Sequence, residues 1–253
     1  MYSVASMGEL LSQVASRARA FFLPLAFALV AVSPVGAQIP IYEKMQISAD
    51  GIGKRYMGRE IAGVMGWQGA GWLERQEREK EERTDLLMKD LSLKPGMIIA
   101  DIGAGTGYLS RRMATQVGTT GRVFAVDVQP EMIRFLETLA RASGLSNIRP
   151  VLGASDHVNL AKETIDLAIM VDVYHELEFP FELLKSIIAS LKPGGQIVFV
   201  EYRAEDPQVP IKEVHKMSET QVRREVAAHP ELVWERTGKT LPWQHVIVFK
   251  KRS

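Results

Sequence analysis

From Met97 onward, short and nearly unbroken apolar runs alternate with amphipathic stretches, and this alternation constrains the fold more than any other feature of the chain. Strands are predicted at 97–102 (MIIADI), 122–127 (RVFAVD), 148–152 (IRPVL), 165–171 (IDLAIMV), 196–201 (QIVFVE), 231–236 and 244–250 (QHVIVFK). Helices are predicted at 107–117, 130–143, 180–191 and 218–229. A strand that is apolar along its length has no wet face, so it belongs in a parallel sheet covered by helices on both sides. The expected fold is α/β: a doubly wound, mostly parallel seven-stranded sheet in a single domain. The short link TGKTLP predicts a hairpin between the last two strands, and so an antiparallel edge strand. LKPGG, Leu191 to Gly195, reads as the turn into the fifth strand.

In such a sheet, ligands bind at the carboxyl ends of the strands near the switch point. The first strand ends at Asp101 and runs straight into DIGAGTGYLS, with glycines at 103, 105 and 107. Without a Cβ, Gly103 and Gly105 let the backbone turn sharply and lie against a ligand. The spacing is G-x-G-x-G, whereas the dinucleotide fingerprint G-x-G-x-x-G seats a pyrophosphate on a helix N-terminus. Asp101 repels an anion at that place and favours a cation. Asp127 ends the second strand, about 20 residues beyond the loop, where a carboxylate accepts hydrogen bonds from ribose hydroxyls. S-adenosylmethionine carries a ribose, an ammonium and a sulfonium but no phosphate, so it fits this pair of carboxylates better than a nicotinamide dinucleotide.

The stretches DIGAGTGYLS, VFAVDVQPEM and LKPGGQIVFVE resemble the motifs of the class I S-adenosylmethionine-dependent methyltransferases, over about residues 85–203. VDVYHEL and VEYRAEDPQVPIKEVHKM resemble, more narrowly, bacterial methyltransferase-domain proteins with export-type N-termini. The resemblance implies a Rossmann-like fold and S-adenosyl-L-methionine as cofactor. It implies that Asp101, Gly103, Gly105 and Gly107 contact the methionine part, that Asp127 binds the ribose and that Val128 flanks the adenine. Family members often carry GDA after the third strand. This chain has GASD, Gly153 to Asp156, and Asp156 is the residue expected to read the adenine amino group.

The segment DVYHEL, Asp172 to Leu177, follows the fourth strand and faces the transferring methyl group in this fold. His175, Tyr174 and Glu176 are the catalytic candidates there. An imidazole titrates near neutrality and suits a general base, or else it simply lines the cleft. Glu201 and Tyr202 border the same cleft. The segment that follows is too long for a tight connection and reads as a substrate lid bringing in His215 and Lys216. The five histidines show no H-x-x-x-H spacing, so no metal site is expected. With no cysteine in the chain, disulfides, thiolate nucleophiles and Cys-ligated zinc are excluded.

Residues 1–37 follow the order of a secretory signal. Arg17 and Arg19 precede the apolar run FFLPLAFALVAV, then SPVGAQ offers small residues for cleavage after Ala37. The run is too short for the roughly 18–20 residues of a spanning helix. An exported chain beginning at Gln38 is expected, the alternatives being a membrane anchor or a cytoplasmic protein. Residues 38–92 read as loops followed by a helix over 72–91, with Glu74–Arg78 and Glu79–Arg83 pairs, together covering the cleft. Residues 93–253 form the methyltransferase domain. Net charge is +1 and no basic tract stands out, so the expected acceptor is a small molecule, with no nucleic-acid partner. Protein or nucleic-acid methylation, and cofactor binding without catalysis, are the alternatives.

Overall fold

The computed structural model describes residues 42–253. The signal expected over 1–37 lies outside them, as do the first residues of the 38–92 region. In chain order the elements are β1 (Tyr42–Lys44), β2 (Gly51–Tyr56), β3 (Arg59–Ala62), α1 (Ala70–Leu73), α2 (Arg78–Glu82), α3 (Thr84–Asp90), β4 (Ile98–Ile102), α4 (Tyr108–Val117), β5 (Arg122–Asp127), α5 (Pro130–Ala142), β6 (Ile148–Leu152), β7 (Ile165–Val171), α6 (Pro180–Ser190), β8 (Leu191–Tyr202), α7 (Glu219–Val226), β9 (Leu232–Gly238) and β10 (Gln244–Lys251).

The central sheet has seven strands in the order β6-β5-β4-β7-β8-β10-β9. β6, β5, β4, β7 and β8 run parallel, and β10 pairs antiparallel with both β8 and β9. The predicted hairpin therefore folds back so that its second strand lies beside β8 and its first forms the rim. Alternate residues of each strand feed two apolar layers. Ile99, Val123, Leu167, Val198 and Val246 pack beneath α3, α4 and α5. Ala100, Val126, Ala168, Phe199 and Ile247 pack beneath α6 and α7. The helices supply matching stripes, such as Met132, Leu136 and Ala140 of α5 at i, i+4 and i+8. The chain leaves β4 toward β5 and later returns to β7 on its other side. That reversal opens a crevice at the carboxyl end of β4.

Three local expectations change. LKPGG is a bulge within β8, pairing with β7 at Leu191 and again from Gln196, with Gly194 at φ +74°. The helix expected over 72–91 is broken into α1, α2 and α3, with Arg83 at φ +52° between the last two. Its ion pairs differ as well: Arg78 pairs with Glu82 at 2.9 Å, Glu74 with Arg111 at 2.7 Å and Arg83 with Asp85 at 2.8 Å. The stretch read as loops contains an antiparallel sheet, β1-β2-β3. Met57 and Gly58, both at positive φ, make the tight turn between β2 and β3. Among the described residues, no helix is long and apolar enough to cross a membrane.

Candidate functional site

The carboxyl ends of β4, β5, β7 and β8 open into one cavity of about 670 Å³. Residues from 63–65, Trp72, Leu73 and Arg78 contribute to its wall, as do residues 210–212 and His215.

At one end, the glycine loop wraps over β5. Gly103 and Ala104 donate their amides to Val126 O at 2.8 and 2.9 Å, and Gly105 donates to Asp127 Oδ2 at 2.9 Å. The first three N–H groups of the loop are thus already paired inside the protein. A phosphate-binding loop leaves such groups free for its anion, so this loop offers no phosphate cradle. Gly103 and Gly105 are required by conformation and by neighbours. Both have positive φ, and a Cβ would stand 2.5 Å from Val173 Cγ2 at position 103 and 2.6 Å from Leu73 Cδ1 at 105. Gly107 lies outside the cavity wall, where it precedes α4 at φ +80°, close against Leu136.

Asp101 and Asp127 both line the cavity. Asp101 is buried and accepts from the Ser110 hydroxyl. Burial pushes its carboxyl up to about 6, against the opposing pull of Ser110 and Arg78. Asp127 is also raised by burial, although the amides of Gln129 and Gly105 favour its charged form. Val128 is half-exposed at the rim. Asp156 does not reach the cavity. After β6, Ala154 N bonds His157 O at 2.8 Å, and this turn leaves Asp156 exposed while Ala154 and His157 form the wall.

The other end follows β7. Asp172, at φ +54°, lines the cavity, with Oδ1 buried and unpaired and Oδ2 accepting from Gln244 Nε2 at 3.2 Å. Burial raises its carboxyl well above the ordinary range, and neighbouring Glu201 adds to this. The turn Tyr174–Glu176 comes next. Tyr174 is turned away from the cavity into the core, edge-on to Phe199 at 4.9 Å between ring centroids, which removes it as a reacting group. His175 and Glu176 do face the cavity.

His175 is tightly held. Its Nδ1 lies 2.6 Å from Glu201 Oε2, and Glu201 Oε1 accepts the amides of Val173 and Tyr174 at 3.2 and 2.7 Å. A carboxylate can only accept, so Nδ1 donates to Glu201. Nε2 of His175 lies 3.1 Å from His215 Nδ1. Burial pushes the carboxyl of Glu176 up to about 7, and burial lowers His215 with help from His175. Arg59 braces the turn from outside: Nη1 donates to His175 O at 3.0 Å, while Nε pairs with the fully buried Glu225 at 2.7 Å. Of the lid residues expected from sequence, His215 reaches the cavity. Lys216 is buried against Glu213 at 2.8 Å instead.

Sequence reasoning placed Asp172 only as the start of a cleft-facing segment and Arg78 only within a covering helix, singling out neither, and it missed the meeting of His175 with His215. Forty residues separate the two histidines, so no local spacing signals them; only the return of the chain after β8 brings them together.

The sequence matches the family described as "Methyltransferase domain" over residues 93–245. It is 31% identical over 124 residues to the tRNA U34 carboxymethyltransferase of Desulfotalea psychrophila, covering 48% of this chain and 38% of that protein. It is 33% identical over 113 residues to protein-L-isoaspartate O-methyltransferase 1 of Arabidopsis thaliana, covering 45% and 49%. The chain thus spans less than half the length of these two relatives. The fold matches the crystal structure of a SAM dependent methyltransferase from Aquifex aeolicus with a TM-score of 0.69 at 22% identity, covering 74% of this chain and all of that one.

Proposed function

The chain belongs to the methyltransferase-domain family, and from that premise we propose that it is an S-adenosylmethionine-dependent methyltransferase acting on a small-molecule acceptor. The observation that carries the cofactor assignment is the glycine loop. Its amides are consumed by Val126 and Asp127, and the charge it presents to the cavity is the carboxylate of Asp101. A cationic, phosphate-free nucleoside suits that wall, and a dinucleotide does not. Asp101 would hold the ammonium end, Asp127 the ribose hydroxyls and Val128 one face of the adenine. When bound, S-adenosylmethionine supplies an electrophilic methyl group.

The residues of the chain then position an acceptor and exclude water. Val64, Met65, Trp72, Pro210 and Ile211 supply apolar groups to the cavity wall. His175, held through Nδ1 by Glu201, lines the cavity with Nε2 against His215 and Glu176 beside it. A cavity of about 670 Å³ that must also hold the cofactor favours a small acceptor over a polymer. The second reading, a protein acceptor, draws on the Arabidopsis relative.

Titration calorimetry with S-adenosylmethionine tests the cofactor assignment: the chain should bind, and Asp127→Ala should weaken binding strongly. A screen of hydroxyl, amine, thiol and thioether acceptors, scored by S-adenosylhomocysteine release, tests the acceptor class. Turnover of polypeptides alone would favour the second reading.

A further inference from the structure

The acceptor end holds an arrangement that methyl transfer alone does not require. His175 Nε2, His215 Nδ1 and Glu176 Oε1 form a triangle with sides of 3.1, 3.8 and 3.9 Å. The point equidistant from these three atoms lies about 2.1 Å from each, by the geometry of a triangle with those sides. Metal–nitrogen and metal–oxygen bonds to zinc are about 2.0–2.2 Å. All three residues line the cavity.

We propose that His175, Glu176 and His215 form a binding site for a divalent first-row transition-metal ion, with its remaining coordination positions open to the cavity. Two imidazoles and one carboxylate are a borderline donor set, matched to zinc, iron, manganese or cobalt rather than to calcium or magnesium, which prefer all-oxygen shells.

The surroundings are built as they are around metal sites. A ligating histidine usually donates its second ring N–H to a carboxylate, which fixes its tautomer and orientation. Glu201 does this for His175 at 2.6 Å while fully buried, and it also holds the two amides that start the turn. Arg59 clamps the far side of the same turn through His175 O. His215 is carried by a second short turn, Glu213–His215, which the Arg203–Met217 bridge anchors to the end of β8. The cations that flank that turn are both paired, Lys212 with Asp50 at 2.7 Å and Lys216 with Glu213 at 2.8 Å.

This site deepens the methyltransferase reading and rests on it for its use. An ion here would coordinate an acceptor through a hydroxyl or thiol and make it more acidic, the released proton passing to solvent. The substrate class would then be oxygen- or sulfur-donor small molecules able to bind a metal.

The test uses the full chain stripped with chelator and titrated with Zn²⁺ by calorimetry, then with Co²⁺ as a spectroscopic probe. One equivalent should bind, and Co²⁺ should develop ligand-field absorption in the visible. His215→Ala, at the most exposed of the three ligands, should weaken binding at least tenfold, and Glu176→Gln should do the same. Glu201→Gln should weaken it about 10- to 100-fold as an outer-shell change. S-adenosylmethionine binding by each variant, measured in parallel, reports that the fold is intact. Absence of saturable Zn²⁺ binding, or binding unchanged by His215→Ala, overturns the metal site while leaving the methyltransferase reading standing. Metal binding with no cofactor binding supports the site and overturns that reading.

Discussion

Asp127 Oδ2 accepts the amide of Gly105 at 2.9 Å, so the carboxylate that ends β5 also fixes the loop that follows β4. Its other oxygen accepts the amide of Gln129 at 2.9 Å. The proposed ribose contact and the shape of the loop therefore depend on one side chain. Asp127→Asn can satisfy only one of these two donors and turns an N–H toward the other. We predict a loss of about 1–3 kcal/mol in folding stability for Asp127→Asn, the cost of leaving a buried donor unpaired, measured by urea unfolding. Cofactor affinity should fall in the same variant. Unchanged stability would separate the loop from this carboxylate.

Asp101 should make cofactor affinity depend on pH. Its folded pKa of about 6 lies above the ordinary 3.8, so in the free protein the folded state keeps a proton that the unfolded chain has released. Stability of the free protein therefore falls as pH rises from about 4 to about 6. A cationic ligand prefers the carboxylate. Its affinity should be highest above about pH 6 and decline below it, by up to about tenfold per pH unit. Asp101→Asn should flatten this profile and stabilise the free protein at pH 7 by up to about 3 kcal/mol. A flat profile in the parent chain would remove Asp101 from the cation contact.

Gly103 combines a φ of +72° with a side-chain neighbour, Val173 Cγ2, 2.5 Å from where a Cβ would stand. Gly103→Ala should cost more than the roughly 1–2 kcal/mol of the left-handed backbone alone. Adding Val173→Ala should recover the steric part and leave the backbone part. Full recovery in the double variant would show that the backbone contributes nothing.

Arg59 and Glu225 form a buried ion pair across two chain segments. Glu225→Gln leaves the guanidinium without its counter-charge, and we predict a destabilisation of about 3–5 kcal/mol. A double-mutant cycle with Arg59→Met should show coupling, because the double variant removes the stranded charge. Additive effects would mean that the two residues act separately.

Export is tested directly by mass spectrometry of the protein made in a bacterial host. A mature chain beginning at Gln38 is expected, and a chain retaining residues 1–37 in the cytoplasm would refute the signal.

The central sheet is legible because β4, β5, β7 and β8 are covered on both faces, which forces nearly continuous apolar sequence. The glycine loop is legible because β4 must turn sharply at its end. The β1-β2-β3 sheet is hidden for the opposite reason: GIGKRY and REIA carry charged residues without clean alternation, and the turn uses Met57 in place of the usual Asn or Asp. Helix periodicity across 72–91 conceals the break at Arg83, where the side chain of Glu79 accepts the amide of Asp85 at 2.8 Å in place of a continuing helix. Asp156 rests on a resemblance to the family's GDA and Tyr174 on its place after β7, and neither says which way a loop residue or a one-turn helix points. The cluster of His175, Glu176 and His215 depends on a contact made across 40 residues.

The brace on the His175 turn also sets an order of assembly. Arg59 precedes its partner Glu225 by 166 residues, so the pair cannot form until β4 to β8 and α7 have been made. The turn bearing His175 cannot be clamped from both sides until then. Closing so long a loop is slow and comes late in folding. A chain stopped short of α7 lacks Glu225, and with it the counter-charge that holds Arg59 against the turn carrying His175 and Glu176.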